Sequence, residues 1–345
     1  MDLAIIVVSA NDARWLPACL SSVYARVGGA PSDGEGGVAG EGEGGVAGEH
    51  AGDIDVEVFV VANGCTDATR ELVRREFPRA RLIDAPNHGF AAGNNRALEC
   101  AEARYVLLLN PDTEILDGTF AQLVGALDAR PHVGVAGVRQ VGADGALHPT
   151  IRRFPNALRA LGEALACERW PWRPAWAGER VLDAAAYTRE QDCDWTIGSF
   201  LLIRREALLG AGLLDERFFL YCEEPDLCLR VRRAGWRVRH LPQMTIRHHA
   251  GKGGVRPRLL AQEAYARRQY AHKHFSRSHR ALYVGALGLR YALRAPRRGG
   301  QARALLALGF GPTRGREPPF MAPPPAAVPA QAAAACPRCS SERSI

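Results

Sequence analysis

At 345 residues and 47% hydrophobic, the chain has enough apolar content for one sizeable core, and its 23% charged fraction excludes wholesale disorder. The formal charge of +7 is unevenly spread: residues 256–316 hold fourteen Lys/Arg against one acid, Glu263, while the front of the chain is mildly acidic. A basic back half points to an anionic partner such as a membrane surface, and no nucleic-acid-binding module accompanies it. The nine cysteines are odd in number and scattered, which suits a reducing cytoplasm. Only Cys336 and Cys339 have metal-like spacing, and they make half a zinc site without the other half. Met1 and Asp2 lead straight into Leu3–Val8 with no basic leader, and no apolar run reaches spanning length. The expected location is cytoplasmic, or peripheral on the inner face of the cell membrane.

Taken in order, Leu3–Val8 reads as a strand and Ala13–Val27 as a helix with Leu16, Leu20 and Val23 on one face. Residues 28–52 interrupt the pattern. There Gly34-Glu-Gly-Gly-Val-Ala-Gly-Glu41 is followed at once by the same eight residues as Gly42–Glu49. A Gly/Glu direct repeat builds no core and is expected to be a flexible surface insertion. Its fit to a dinucleotide fingerprint is a decoy, since neither copy joins a strand to a helix and the glutamates would repel pyrophosphate. Strand Val56–Val61, helix 67–77, strand Ala80–Ile83, helix 93–103 and strand Tyr105–Leu109 follow. This alternation predicts an α/β fold with a mostly parallel sheet flanked by helices. After Thr119 come a helix, the strand Val133–Val138, a Trp/Pro-rich stretch at 170–176, and a strand leaving Gly198. Two basic helices are expected over 257–276 and 279–295, and the Pro/Ala-rich residues 312–345 read as a disordered tail.

Five short segments carry chemistry. Val60-Val-Ala-Asn-Gly-Cys-Thr-Asp67 ends a strand, where ligands of open α/β sheets sit. Asn87-His-Gly-Phe-Ala-Ala-Gly-Asn-Asn-Arg96 brings small residues and amide donors toward a helix start. Leu107–Thr113 is an apolar strand stopped by Asn-Pro-Asp, which leaves Asp112 at a crevice edge, and one exposed carboxylate with phosphate oxygens and water suffices for Mg²⁺ or Mn²⁺. In Phe219–Arg230, Pro225 suits the first turn of a helix, so Glu224 is expected as its N-cap with Glu223 just before it. His248, His249 and the Gly251–Gly254 loop offer a metal ligand and phosphate contacts. Each segment alone is also ordinary turn or capping chemistry.

Together they resemble, in order and spacing, the family 2 glycosyltransferases, in particular the rhamnosyltransferase-like branch. Val61–Thr69, Asn87–Asn95, Leu107–Asp112, Gly198–Arg204, Phe219–Arg230 and His248–Gly251 carry the resemblance, which spans about residues 3–254. It implies a GT-A fold over 1–254, followed by a basic helical extension over 255–311. It also implies inverting, metal-dependent transfer of a sugar, rhamnose in the branch resembled, from a nucleotide diphosphate donor to a glycan or polyprenyl-linked hydroxyl. By the same resemblance Glu224 is the general base. Ser9, Asn11, Asn63, Asp67, Gly89, Asn94, Asn95, Asn110 and Asp112 face the donor, while Trp195, Gly198, Glu223 and Asp226 lie on the acceptor side. Asp112 and His248 are implied to hold Mg²⁺ or Mn²⁺. Two positions depart from the family: Ala62 replaces an aspartate that binds the donor base or ribose, and Glu223-Glu224 replaces Glu-Asp. The competing expectations are a noncatalytic nucleotide-sugar-binding member of the family and a nucleotidyltransferase.

Overall fold

The computed structural model describes residues 1–27, 54–172, 174, 176–249, 257–294 and 301–309. The repeat at 28–52, the Gly251–Gly254 loop, the 312–345 tail and the Cys336–Cys339 pair lie outside the described residues. Strand β1 (Leu3–Ser9) is buried along its whole length, as an unbroken aliphatic run requires when helices cover both faces of a sheet. Around it alternate α1 (Leu16–Tyr24), β2 (Val56–Asn63), α2 (Thr69–Glu76), β3 (Arg81–Ala85), α3 (Phe90–Leu98) and β4 (Tyr105–Leu109). Then come β5 (Thr113–Asp117), α4 (Phe120–Asp128), β6 (Val133–Val141), α5 (Ala157–Ala164), β7 (Gln191–Cys193), β8 (Phe200–Arg204) and α6 (Arg205–Ala211). The order closes with α7 (Glu223–Arg233), β9 (Arg237–His248), α8 (Pro257–His274), α9 (Arg277–Arg294) and α10 (Gln301–Ala307).

Within the described residues one sheet runs β3-β2-β1-β4-β8-β6-β9-β5, with β7 paired to β9. The first four strands are parallel, as the alternating pattern predicts. Beyond β4 the sheet is mixed: β8 enters antiparallel to both β4 and β6, and β5 and β7 pair antiparallel with β9. The sheet is therefore less uniformly parallel than expected, because β8 runs opposite to both of its neighbours. Alternate side chains of β1 feed two cores. Leu3, Ile5 and Val7 meet Leu16 and Leu20 of α1 and Phe120 and Leu123 of α4. Ala4, Ile6 and Val8 belong to the opposite layer, with Ala91 and Leu98 of α3 and Leu227 and Val231 of α7.

Helices α8 to α10 form a third layer. Tyr265, Tyr283, Leu287 and Tyr291 cluster there with Ala160 of α5. From α8 through α9, Leu260, Phe275, Leu282, Val284, Leu287 and Leu293 are interleaved with Arg267, Arg268, Lys273, Arg280 and Arg290, a composition that by itself suits one membrane-facing surface. The structure divides that set. Leu287 is fully buried, and Leu260, Phe275 and Val284 pack against the same cluster, whereas Leu282 and Leu293 are exposed. Arg267 reaches Glu179 at 2.6 Å and Glu263 at 2.9 Å, Arg290 reaches Glu163 at 3.1 Å, and Lys273 reaches Asp215 at 2.6 Å. These cations are therefore committed to the protein interior, where breaking a pair would leave its partner charge uncompensated.

Candidate active site

The carboxyl ends of β1 and β2 finish level, Ser9 opposite Ala62, and a polar knot closes over them. Asn11 adopts φ 64°, and its Oδ1 accepts from the backbone N–H groups of Thr66 (2.7 Å) and Asp67 (3.1 Å). Asp67 accepts from the N–H groups of Ala13 and Thr69. Desolvation raises its proton affinity, but the hydrogen bonds from Thr69 and Ala13 outweigh it and hold the carboxyl below its usual range. Ser9 is fully buried, 3.4 Å from the Thr69 hydroxyl. Ala62 is fully buried between Ser9 and Asp84 in register, and Asp84 is taken up by a two-point pair with Arg70.

Helix α3 starts three residues earlier than the sequence suggests, at Phe90, so Gly93, Asn94 and Asn95 sit inside it. Gly93 allows that helix to approach β2: a Cβ there would meet Val8 at 2.9 Å and the Asn63 amide at 3.2 Å. Asn63 donates to the Gly89 carbonyl at 3.1 Å, and the Oδ1 atoms of both Asn63 and Asn94 are buried without a partner. Asn95 is committed elsewhere, since it pairs both ways with the Leu214 backbone and donates to Glu216. It ties the nucleotide-side helix to the segment before α7. Gly89, at φ 103°, lies against Phe219, where a Cβ would come within 2.3 Å of its carbonyl oxygen.

The β4–β8 pairing brings together two motifs whose contacting residues, Asn110 and Ser199, are 89 positions apart in sequence. Asn110 N–H donates to Ser199 O at 3.1 Å, continuing the ladder past Leu109, and the neighbouring Gly198 N–H donates to Glu224 Oε1 at 2.9 Å. Glycine at position 198 lets that carboxylate close in, since a Cβ there would stand 2.7 Å from the same oxygen and displace the Glu224 side chain. Trp195 spends its indole N–H on Arg153 O, and Arg152 lies over its ring. Asp112 Oδ1 is 3.3 Å from His248 Nε2, an approach set by the pairing of Thr113 with His248 between β5 and β9. His148 stacks on His248 at 5.7 Å and is pushed down to about 4 by burial and by His248, so it is neutral near pH 7. No pattern in the sequence singled out His148 or Arg152. Among the described residues no group of three or more His, Cys, Asp or Glu converges as a metal cage.

Helix α7 starts at Glu223, two residues earlier than expected, with Cys222 rather than Glu224 as N-cap and Pro225 as its third residue. Proline is tolerated there because that N–H lacks a helical acceptor in any case. Tyr221 (φ 72°) and Cys222 (φ 69°) are both left-handed, a strained pair that aims the acids. Glu223 is buried at 2% exposure with Oε2 unpartnered, whereas Glu224 is partly exposed. Asp226 is fully buried, with Arg230 on one oxygen and Lys273 and His274 on the other. Its oxygens hold α8 against α7.

A family model for "Glycosyl transferase family 2" matches residues 4–208. The chain belongs to glycosyl transferase family 2. Over 209 residues it is 30% identical to an N-acetylglucosaminyl-diphospho-decaprenol L-rhamnosyltransferase of Mycobacterium tuberculosis, a stretch covering 56% of this chain and 66% of that protein. The match thus spans slightly under two thirds of the relative's length. Among solved structures, a mannosyltransferase of Pyrobaculum calidifontis in complex with GDP-Man and Mn²⁺ superposes with TM-score 0.50 at 18% identity, covering 89% of this chain and 79% of that one. GalNAc-T7 with UDP, GalNAc and Mn²⁺ gives TM-score 0.50 at 13% identity, covering 77% and 47%. The fold of this family 2 glycosyltransferase is GT-A.

In this glycosyltransferase the two adjacent acids differ in setting. Burial first, and the charge of Glu224 second, push the Glu223 carboxyl well above its ordinary value of 4.5. The folded state therefore binds a proton there that the unfolded chain releases. Stability from the protonated acid is complete below the ordinary carboxylate range and is lost as pH rises toward the folded value. Glutamine mimics the protonated acid. Glu223→Gln is therefore expected to raise the thermal midpoint at pH 8 and leave it unchanged at pH 4. Each tenfold change in proton affinity is worth about 1.4 kcal/mol, or roughly 3–6 °C for a domain of this size. Equal midpoint changes at both pH values would contradict the assignment.

Proposed function

We propose that this glycosyltransferase moves rhamnose from a thymidine diphosphate donor onto a hydroxyl of a polyprenyl-diphosphate-linked glycan, in a metal-dependent reaction with inversion at the anomeric carbon. The observation that carries the reading is the seating of Glu224. Its carboxylate is held by Gly198 N–H, one residue from the point where Ser199 binds the Asn110 end of the Asp112 turn. A base for the acceptor and a carboxylate for the donor diphosphate thus share one strand pair. The decaprenol-linked acceptor and L-rhamnosyl transfer named for the Mycobacterium tuberculosis relative support the substrate class.

In this reading the Ser9–Asn11 turn, Asp67 and Gly89 frame the nucleotide, and the unpartnered oxygens of Asn63 and Asn94 accept from its donors. Asn95 joins the two halves, and Asp226 positions α7. Asp112 and His248 fit a hard divalent cation such as Mg²⁺ or Mn²⁺. They place an oxygen and a nitrogen side by side, His248 Nδ1 is buried without a partner, and diphosphate oxygens and water complete the set. When bound, that cation supplies positive charge to the leaving diphosphate. Glu224 takes the proton of the acceptor hydroxyl as its oxygen forms the new bond to the anomeric carbon. The bond from that carbon to the diphosphate oxygen breaks, and the nucleoside diphosphate departs with the electron pair. Burial raises the Glu224 proton affinity, while its own backbone N–H, Gly198 N–H and nearby Arg152 lower it, with burial prevailing. A carboxylate held above its usual range is a stronger base for a hydroxyl.

The test is a panel of nucleoside diphosphate sugars read by thermal midpoint with Mn²⁺ present, followed by mass analysis of a polyprenyl-diphosphate acceptor. The thymidine diphosphate rhamnose donor should give the largest rise, about 2.7 kcal/mol of stabilisation at a hundredfold excess over its Kd. The acceptor should gain one deoxyhexose. A rise with every donor and no acceptor product would favour the noncatalytic binder.

A further inference from the structure

The outward side of α9 is inverted in character for a surface helix. Ala281, Leu282, Gly285, Leu289, Ala292 and Leu293 are its exposed residues through the middle and the last turn, and none is charged. Leu282, Leu289 and Leu293 are 67%, 39% and 50% exposed, and their spacing of seven and four keeps them on one stripe. The charged Arg290 turns inward to Glu163 instead. Beside it, α5 repeats the arrangement: Leu158, Leu161 and Leu165 are 53%, 38% and 48% exposed at spacings of three and four.

The two helices lie side by side and run the same way. Ala157 N–H donates to His279 at the start of α9, and Arg290 and Arg294 near its end reach Glu163. Trp172 and Trp176, 70% and 44% exposed, follow α5 in the chain. Arg169, Arg277 and Arg303 are exposed on the segments adjoining the stripes. Helices α9 and α10 carry no acid, and the one acid of α5, Glu163, is engaged inward.

We propose that the joined outward faces of α5 and α9 dock on the surface of an anionic phospholipid bilayer. The leucines enter the acyl boundary, Trp172 and Trp176 sit at headgroup level, and the arginines meet lipid phosphates. Charge selects this occupant over a second copy of the chain. Two such faces would set Arg277 and Arg303 against their own copies with no acid on α9 or α10 to compensate, and Glu168 beside Arg169 is already paired with Arg180, whereas anionic lipid supplies the missing counter-charge. The face lies in the plane of the membrane rather than crossing it, since no helix among the described residues is long and apolar enough to span one. It is also coupled to the catalytic helix: α8, which packs with α9 and α10, holds Asp226 of α7 through Lys273 and His274, two residues beyond Glu224. Docking would therefore fix the distance of the base from the lipid surface.

The test is co-sedimentation of the full chain with phosphatidylcholine vesicles and with mixed phosphatidylcholine–phosphatidylglycerol vesicles. The variant is Leu282→Gln/Leu289→Gln/Leu293→Gln, whose positions are exposed and whose thermal midpoint and donor-induced rise should match the parent. That second readout separates loss of docking from loss of the transferase site. The parent should bind the mixed vesicles, release as salt is raised, and bind neutral vesicles weakly, while the variant's partition coefficient should fall about a hundredfold. Equal partition of parent and variant overturns the proposal. So does a parent that sizes as a dimer, ignores vesicles and becomes monomeric in the variant. Vesicle binding that appears only after removal of residues 310–345 also overturns it, since the face is then covered by the chain's own tail.

Discussion

Glu224→Gln is expected to lower turnover by about two to four orders of magnitude while the donor still binds. Glutamine preserves length, first-turn position and an oxygen to accept from Gly198 N–H, so the strained entry into α7 should survive. What disappears is the site that takes the hydroxyl proton. The pH profile separates this from a packing defect. A base works deprotonated, and burial raises the Glu224 carboxyl above its ordinary 4.5, so parent turnover should climb with pH through a limb shifted upward from the usual carboxylate range. The residual activity of the variant should lack that limb. An inactive Glu223→Gln beside an active Glu224→Gln would move the base one residue toward the N-terminus.

Asp112→Asn is the second large effect. The substitution keeps the size of the side chain and the backbone carbonyl that accepts from His249 N–H at 3.0 Å, so the β5–β9 edge should remain intact. It removes the negative charge beside His248. Turnover should fall about a hundredfold to a thousandfold, equivalent to roughly 3–4 kcal/mol of lost transition-state stabilisation. The extra midpoint rise that Mn²⁺ adds to the donor should vanish, while the rise from donor alone persists. A variant with parental rate and unchanged Mn²⁺ dependence would take Asp112 out of the metal role and leave His248 without its partner.

The polar layout around these two residues explains why some motif positions read straightforwardly in sequence and others did not. Asn11, Asn63 and Asp67 lie where strand ends are expected, because a parallel α/β sheet gathers the carboxyl ends of its strands whatever the rest of the chain does. Asn95 and Asp226 share the same motifs but make contacts invisible in them. The partners of Asn95 are Leu214 and Glu216, and those of Asp226 include Lys273 and His274, all set by how the second half folds back. The start of α7 escaped for a related reason: Tyr221 and Cys222 hold left-handed backbone that local preference disfavours, and nearby Phe219 is pinned against Gly89.

The sequence by itself determined the α/β alternation, the four parallel strands and the order of the chemistry-bearing segments. These depend on local hydrophobic runs and on turn residues that end them. Only the tertiary structure decided that β8 returns antiparallel beside β4, which seats Glu224 next to the Asp112 turn. It alone also decided which side of the basic helices faces out. In α8 and α9 the periodicity of Leu and Arg fits either orientation, and the choice was made by buried acids far off in the chain. Glu179 and Glu163, 88 and 127 positions from Arg267 and Arg290, draw those arginines inward because an unpaired charge at such depth is costly. With the cations turned in, Leu282, Leu289 and Leu293 were left on the outside.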